Sequence, residues 1–397
     1  MSVIDYKKRI IWVYIFFIMY ICVNDFLSPF ISNTTIIRST ELVCLTAAVA
    51  FIPKTVDFRN KIRSSWLIML LLLYSIYIIF RGEWNLGAKD IFLKLVAPET
   101  AVYLMPFIAL LPNYTNFDKV INLFYKFSLL AIPLFILYSD KLDQAYSEKA
   151  YKVGDIGKYL PFFCAFLLLF IDRLSKWQKV FVWAIYLFYF YIMAMNGRRT
   201  ICFILLIYFL FHFYIKLKEA KKGKSTFYTF SLCIVIAALL MNFKDVMTDM
   251  FPFMAERGLE DSRSSVNDSF LMDFYNASET DWIYGRGIDG KYQQLVTDKT
   301  GELYLYDRDG IETGALNSIL KGGLIYLCLQ LAIVLTSLIR GLFSKNTIQR
   351  NCAYVLILYL ITVMSSSFFA TFNVRSIIFW FCIGICNYKS DKKNKIT

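Results

Sequence analysis

Apolar residues occur in long blocks along the chain, and short polar breaks separate one block from the next. The blocks run for about 16 to 25 residues, whereas a soluble helix or strand shows its apolar positions as periodic stripes. About 20 apolar residues are enough to cross the hydrocarbon core of a bilayer as an α-helix. The pattern therefore predicts about twelve transmembrane helices, near residues 10–29, 36–52, 64–80, 89–111, 118–138, 158–172, 177–195, 200–216, 225–242, 314–340, 351–370 and 373–388.

Composition supports this interpretation, since 58% of the residues are hydrophobic, 18% are charged and the mean hydropathy is +0.51. We expect an all-α polytopic membrane protein with about twelve transmembrane helices and one large extracytoplasmic loop between spans 9 and 10. This divides the chain into spans 1 to 9 (residues 1–242), the loop (243–313), and spans 10 to 12 with a tail (314–397).

The formal net charge of +13 is explained by where the cations lie. With a cytoplasmic N-terminus, the inside segments carry 23 Lys and Arg residues and the short outside segments carry nine. This bias is the one expected for membrane insertion, and it predicts that both termini are cytoplasmic. The basic charge is therefore a topology signal, and we expect no nucleic-acid partner.

The predicted outer loop has a different composition from the rest of the chain. It holds 15 of the 30 acidic residues, and aromatic residues such as Phe274, Trp282 and Tyr304 are interleaved with them. Carboxylates beside flat aromatic rings suit a surface that binds sugars, while an ordinary solvated loop is the alternative. Val266, Phe270 and Phe274 recur at helical spacing, which predicts an amphipathic helix lying on the membrane.

Several ionisable residues fall inside predicted spans, where a charge costs roughly 2.5–3.5 kcal/mol on insertion scales. Asp90 and Lys94 are four residues apart on one helical face, so an ion pair that joins them is the simplest interpretation. Lys321 has no oppositely charged residue one turn away. A functional role and a structural role remain equally open for Lys321.

The turn Asn-Gly-Arg-Arg-Thr at residues 196–200 carries two adjacent arginines at the outer surface. Positive charge is normally depleted on that side of a membrane protein. Arginine pairs bidentately with phosphate oxygens, so Arg198 and Arg199 are candidates for phosphate binding. The alternative is that both side chains simply reach the membrane interface.

The sequence offers few signals for other chemistries. The single histidine, His212, lies near the inner end of span eight and is expected to be a packed residue. There is no zinc-ligand cluster, no phosphate-binding glycine loop and no Ser-His-Asp arrangement. We therefore expect no metal site and no cofactor.

Three stretches resemble, in their order and spacing, the O-antigen polymerase and O-antigen ligase superfamily of bacterial inner-membrane proteins. The turn at 196–200 is similar to a turn that opens a late span of that superfamily. Arg263, Trp282 and Ile-Tyr-Gly-Arg-Gly-Ile at 283–288 resemble its loop pattern of an arginine, an aromatic residue and Phe-Gly-x-Gly. Residues 312–324 resemble the stretch that leads into the following span.

The chain departs from the ligase pattern at the end of the loop. Ligases of this superfamily carry a histidine there, whereas this chain has Asp307, Asp309 and Glu312. The resemblance therefore implies a polymerase of oligosaccharide repeat units, which builds an O-antigen, capsular or exopolysaccharide. A ligase-type transfer of glycan remains an alternative.

The resemblance also implies a mechanism and partners. The donor would be a polyprenyl-pyrophosphate-linked oligosaccharide in the lipid bilayer of the inner membrane, with a flippase and a chain-length regulator as further partners. Cations would stabilise the leaving pyrophosphate without a metal ion, and a carboxylate would act as the base on the attacking hydroxyl, giving inversion. The implied substrate-binding residues are Arg198, Arg199, Arg263, Arg286, Lys321 and Trp282, and the implied catalytic carboxylates are Glu312, Asp309 and Asp307.

Other classes of polytopic protein remain open. A lipid-linked oligosaccharide flippase or polysaccharide transporter also carries intramembrane charges, but it usually shows two similar halves. No internal repeat is visible in this chain, and the single large loop breaks any symmetry. A metal-dependent lipid-linked glycosyltransferase would need an acidic motif in the short first outer loop. A non-enzymatic polysaccharide assembly factor is a further alternative.

Replacing Arg198 and Arg199 with alanine should abolish polymer, because two cations aimed at the leaving pyrophosphate would be lost. The measurement is gel analysis of surface polysaccharide in cells that depend on the variant. Lys218→Ala is a matched control, because that cation lies at the opposite, cytoplasmic end of the same predicted span. Unchanged polymer length and yield in the arginine variants would remove both residues from the mechanism.

Overall fold

The computed structural model describes residues 3–23, 34–51, 62–82, 84, 87–132, 160–195, 198–219, 262–297, 303–362 and 372–389. The predicted span at 225–242 and the part of the outer loop before residue 262 lie outside the described residues. The described chain is mostly helical. Its helices are α1 (Val3–Cys22), α2 (Thr34–Phe51), α3 (Ser65–Phe80), α4 (Ala88–Val96), α5 (Pro98–Ala101), α6 (Phe117–Ser128), α7 (Phe162–Leu168), α8 (Lys176–Met195), α9 (Arg199–Glu219), α10 (Ser262–Tyr275), α11 (Glu279–Tyr284), α12 (Gly314–Leu342), α13 (Thr347–Thr362) and α14 (Val374–Asn387).

Three of these helices are long and apolar enough to cross a membrane, namely Lys176–Ala194, Thr200–Lys218 and Gly314–Leu342. Shorter apolar helices cover Arg9–Cys22, Ser65–Phe80 and Val374–Asn387. The helical class of the protein is thus as the sequence predicts, and several apolar helices are compatible with a multi-pass membrane protein. The count of twelve spans stays a prediction.

The chain divides into two compact units. The first contains Met1–Phe117 together with Asp261–Thr397, and the second contains Asp118–Glu260. The first unit therefore joins the N-terminal helices to the described part of the outer loop and to the C-terminal helices. The three-part division into residues 1–242, 243–313 and 314–397 stays a prediction.

In the second unit, α7, α8 and α9 pack on one another through apolar side chains. The Tyr186 hydroxyl on α8 donates to the Leu205 carbonyl on α9 at 2.8 Å. Nδ1 of His212 lies 2.7 Å from the Leu168 carbonyl oxygen, and its side chain is buried. The interpretation of His212 as a packed residue is confirmed.

In the first unit, α12, α13 and α14 pack together, and α14 also packs on the 3-10 helix Val102–Leu110 that continues α5. Every residue of α14 is buried. Polar side chains join these helices from within. Asn387 donates to the Ser337 hydroxyl at 2.6 Å, and Gln349 donates to the Ile385 carbonyl at 3.0 Å.

The predicted fourth span is bent. The pair Ala88–Val96 and Pro98–Leu110 turns by 54° at Ala97. Pro98 lacks an N–H group and restricts the residue before it to extended conformations, which ends α4 at Val96. The bend leaves Glu99 exposed in the first turn of α5.

The described part of the outer loop combines two helices with a strand pair. Helix α10 is present, as the spacing of Val266, Phe270 and Phe274 predicts. The prediction that the apolar face of α10 lies on the membrane is wrong, because Phe270 and Phe274 are fully buried against Tyr292, Ile319 and Leu320. The protein itself thus provides the apolar surface that this face requires.

The loop also contains an antiparallel hairpin of β1 (Tyr292–Thr297) and β2 (Leu303–Arg308), in which Tyr292 is paired with Arg308. The sequence pattern of the loop did not predict it. Tyr292 is buried beneath Phe270, at 5.7 Å between ring centroids, and this contact seats the hairpin on α10.

Helix α12 is interrupted nine residues after it begins. Gly323 has φ 67° and ψ −173°, a conformation that side chains other than glycine rarely adopt. A Cβ atom at Gly323 would also overlap with the Ile283 carbonyl group. The end of α11 therefore lies directly against the interruption, in a space that only glycine leaves open.

We expect Gly323→Ala to destabilise the protein by at least about 2 kcal/mol, because it combines backbone strain with the overlap at Ile283. This corresponds to a fall of about 2 °C or more in the unfolding midpoint of the detergent-solubilised protein. Gly310→Ala is the matched control, since its Cβ would meet Asn317 at an ordinary distance of 3.5 Å. Equal midpoints for the two variants would contradict the interruption in α12.

Candidate functional site

Three segments of the first unit meet at the interruption in α12. Residues 285–290, called the glycine turn below, lie between the end of α3 and the interruption. The N–H groups of Arg286 and Gly287 donate to the carbonyls of Leu320 and Lys321 at 2.7 and 3.0 Å. The Ile288 N–H donates to the Ile78 carbonyl on α3 at 3.2 Å. Two stretches that resemble the superfamily, residues 283–288 and 312–324, are thus in direct backbone contact.

Glycine is required at two positions of this turn. Gly285 has φ 72° and Gly287 has φ 82°. A Cβ at Gly285 would overlap with the backbone at Gly322 and Gly323, and one at Gly287 would overlap with the Arg81 carbonyl. The close approach of the turn to α3 and α12 therefore depends on its glycines.

Lys321 extends from the helix interruption to the glycine turn. Its ammonium group donates to the carbonyls of Ile288 at 2.8 Å and Gly290 at 3.0 Å. Within the part of the chain that the structure describes, no carboxylate lies within ion-pair distance of this group, although Asp309, Asp289 and Glu99 act on it at longer range. Since an ammonium has three donors, one remains for a ligand.

Arg81 and Lys94 bring two more positive charges to the same junction. Nη2 of the Arg81 guanidinium is 3.9 Å from the Asp281 carboxylate, and Nη1 is buried without a hydrogen-bond partner among the described residues. Lys94 pairs with Asp289 of the glycine turn and lies 4.4 Å from the Trp84 ring centroid. Asp90 is exposed, so the predicted Asp90–Lys94 pair is replaced by a pair with a residue 195 positions away.

Arg286 holds the loop together. Its guanidinium donates to Asp273 at 2.6 Å, to Asp281 at 3.2 Å and to the Lys291 carbonyl at 2.6 Å. It also lies 4.6 Å from the Phe274 ring centroid. Two carboxylates already neutralise this cation, so its predicted role in phosphate binding would require it to exchange partners.

The three predicted catalytic carboxylates are exposed, one on β2 and two between β2 and α12. Asp307 is exposed on β2 and is paired in register with Gln293. The Asp309 side chain is 76% exposed and lies 3.8 Å from the Lys291 ammonium. The Glu312 side chain is 60% exposed and lies 4.0 Å from Arg308. Of the three, Asp309 is the one whose charge acts on Lys321.

The predicted aromatic platform, Trp282, is half-buried. Its indole N–H donates to the Phe274 carbonyl at 2.8 Å, and its ring stands at 90° to the Phe274 ring. These contacts make it part of the packing between α10 and α11. Arg263 lies in the first turn of α10, and its side chain is outside the described residues.

Arg198 and Arg199 belong to the second unit. The Arg198 N–H donates to the Met193 carbonyl at 2.9 Å, and α9 begins at Arg199, whose side chain is outside the described residues. Their predicted role in phosphate binding stays a prediction. The prediction that the protein has no metal site also stays a prediction; the described residues contain no group of three potential ligands.

Four residues at the junction were not singled out as site residues from the sequence: Arg81, Lys94, Asp281 and Asp289. A signal was present for Arg81, since it is a cation in a short outer segment where positive charge is depleted. The partners could not be found from spacing, because each charge contact joins α3 or α4 to a loop about 200 residues away.

No protein-family model matches the chain, and neither a curated protein nor a solved structure matches it.

Arg286→Ala should loosen the outer loop, because Asp273 and Asp281 would keep their charges without their principal partner. A loss of about 1.5–3 kcal/mol is expected for hydrogen bonds to a charged group. Limited proteolysis of the loop in the detergent-solubilised protein should then be faster by tenfold or more.

Arg308→Ala is the control for that experiment. Its contact with Glu312 is long and solvent-exposed, and its hydrogen bond at 3.0 Å goes to the uncharged Gln294, so the expected loss is about 1 kcal/mol and leaves no buried carboxylate without a partner. Equal rates of cleavage in the Arg286 and Arg308 variants would show that Arg286 does not stabilise the loop.

Proposed function

We propose that this chain polymerises oligosaccharide repeat units that are linked to polyprenyl pyrophosphate, at the outer face of a bacterial inner membrane. The products would be an O-antigen, a capsule or an exopolysaccharide. The protein would be an inverting glycosyltransferase of the membrane, and no nucleic acid takes part.

The observation that carries the proposal is the position of Lys321. Its ammonium group combines a spare donor with a charge that no described carboxylate contacts, and it lies where two superfamily-like stretches meet. The buried guanidinium nitrogen of Arg81, which has no hydrogen-bond partner among the described residues, adds a second donor. An unsatisfied buried donor costs about 1–3 kcal/mol, and a pyrophosphate oxygen would offset that cost.

The transfer forms one bond and breaks one bond. The acceptor hydroxyl oxygen attacks the anomeric carbon of the donor glycan, and the bond from that carbon to the pyrophosphate oxygen breaks. The electron pair leaves with the pyrophosphate, whose added charge Lys321 and Arg81 stabilise. Pyrophosphate with its charge stabilised is a good leaving group, so the proposed reaction requires no cofactor.

The hydroxyl proton passes to a carboxylate of the outer loop. The candidate bases are Glu312, Asp309 and Asp307, whose side chains are all exposed. Attack from the face opposite the pyrophosphate inverts the anomeric configuration.

Transport of a lipid-linked glycan is a second candidate function. Discontinuous helices are typical of transporter binding sites. Both the bend at Ala97 and the interruption at Gly323 are of this kind. A transporter would bind the same pyrophosphate but would form no glycosidic bond, which separates the two functions experimentally.

Cells that lack the gene should accumulate single repeat units, and the wild-type gene should restore a ladder of polymer. Lys321→Ala should reduce polymer yield at least tenfold, because about 1.5 kcal/mol or more of charge stabilisation is lost. Lys345→Ala is the matched control, as an exposed lysine just beyond the far end of α12.

Each alternative function predicts a different pattern of polysaccharide on the gel. A full-length polymer that stays on its lipid carrier in the deletion strain would indicate a ligase. Loss of all repeat units at the outer face would indicate a transporter. A wild-type ladder in the Lys321 variant would contradict the proposed site.

A further inference from the structure

Two tyrosine rings face each other across the junction, and both are partly exposed at the surface of the protein. Tyr77 lies near the end of α3 and is 43% exposed, and Tyr284 is the last residue of α11 and is 39% exposed. Their ring centroids are 6.3 Å apart and their planes make an angle of 66°. The two rings therefore form a corner with two accessible aromatic faces.

A pair of charged side chains continues this corner. Arg81 follows Tyr77 by four residues, and Asp281 precedes Tyr284 by three, so each charge lies on the same helix face as its ring. The Arg81 guanidinium is 3.9 Å from the Asp281 carboxylate, and the two side chains are 26% and 25% exposed. The tyrosine pair and the charged pair therefore lie next to each other between α3 and α11.

Neighbouring residues hold the two tyrosine rings of the corner in place. Tyr74 lies 5.4 Å from Tyr77 and 6.3 Å from Tyr326 between ring centroids, and its hydroxyl donates to the Gly322 carbonyl at 2.9 Å. Tyr284 is fixed by the contact of Gly285 with the interruption in α12. A ligand that stacks on these rings would therefore cost little ordering of the protein.

The neighbouring charges decide which ligand this surface fits. Tyrosine is common at membrane interfaces, where its ring contacts lipid. Here, however, a carboxylate and an arginine, each on the same helix face as one of the rings, lie 3.9 Å apart and are both partly exposed. A sugar ring has an apolar C–H face for a tyrosine ring, and its hydroxyls can donate to Asp281 and accept from Arg81.

We propose that Tyr77 and Tyr284 form a subsite for a sugar ring of the glycan, with Asp281 and Arg81 as its hydrogen-bonding partners. The inference rests on the proposed function and identifies the residues that select the sugar. Lys321, which reaches the same glycine turn, would hold the pyrophosphate end of the substrate together with Nη1 of Arg81, while Nη2 of Arg81, the nitrogen nearer Asp281, would face the sugar.

The test uses full-length protein in nanodiscs and saturation-transfer difference NMR. The probe is the single repeat-unit oligosaccharide, released by mild acid from its lipid carrier. Tyr77→Ala and Tyr284→Ala should each weaken binding of the probe about tenfold, which corresponds to about 1.4 kcal/mol. Tyr77→Phe and Tyr284→Phe should recover most of the binding, because the aromatic ring remains.

Tyr275→Ala is the matched control, because this tyrosine is 87% exposed on α10, away from the corner. The amount of each variant in the membrane is measured by immunoblot, so that a failure to insert is recognised. If the alanine variants are inserted and bind the probe as the wild type does, the rings contact only lipid and the inference is overturned.

The outcomes also separate this inference from the proposed function. A ladder that depends on the gene but is unchanged in Tyr77→Ala and Tyr284→Ala would overturn the subsite and leave the polymerase proposal intact. Binding of the probe by a protein whose deletion leaves the ladder unchanged would support the sugar subsite and overturn the polymerase proposal.

Discussion

The interruption of α12 at Gly323 creates a requirement that the surrounding structure has to meet. A helix that breaks within an apolar segment leaves backbone carbonyls without donors, and lipid cannot satisfy them. Here the N–H groups of Arg286 and Gly287 and the hydroxyl of Tyr74 supply those donors, to Leu320, Lys321 and Gly322. The outer loop is therefore part of the helical framework of the first unit.

The same requirement explains why charged and aromatic side chains lie close together at this junction. To reach the interrupted helix, the glycine turn passes along the end of α3, which brings Asp281 to Arg81 and Tyr284 to Tyr77. It also brings Asp289 to Lys94 and offers two carbonyls to Lys321. Glycine at 285, 287 and 323 makes the approach possible, so these glycines position the charged and aromatic side chains of the junction.

Local patterns in the sequence predicted much of the fold. Apolar blocks indicated the helices, the spacing of Phe270 and Phe274 indicated α10, and the order of the motifs pointed to residues 283–288 and 312–324. The partners of the charged residues were not predictable in this way. The spacing of Asp90 and Lys94 suggested a local pair, but a helix face also packs against distant segments, and the loop supplied Asp289 instead. Arg286, Trp282 and the hairpin show the same limit, because their roles depend on packing against α10.

The most direct measurement is reconstitution of the purified protein in liposomes that carry a polyprenyl-pyrophosphate-linked single repeat unit on the outer-face side. The account predicts that products of two, three and more repeat units appear on a gel, with release of polyprenyl pyrophosphate in equal amount to the bonds formed. Persistence of the single unit without any new glycosidic bond, including its movement across the bilayer, would contradict the account.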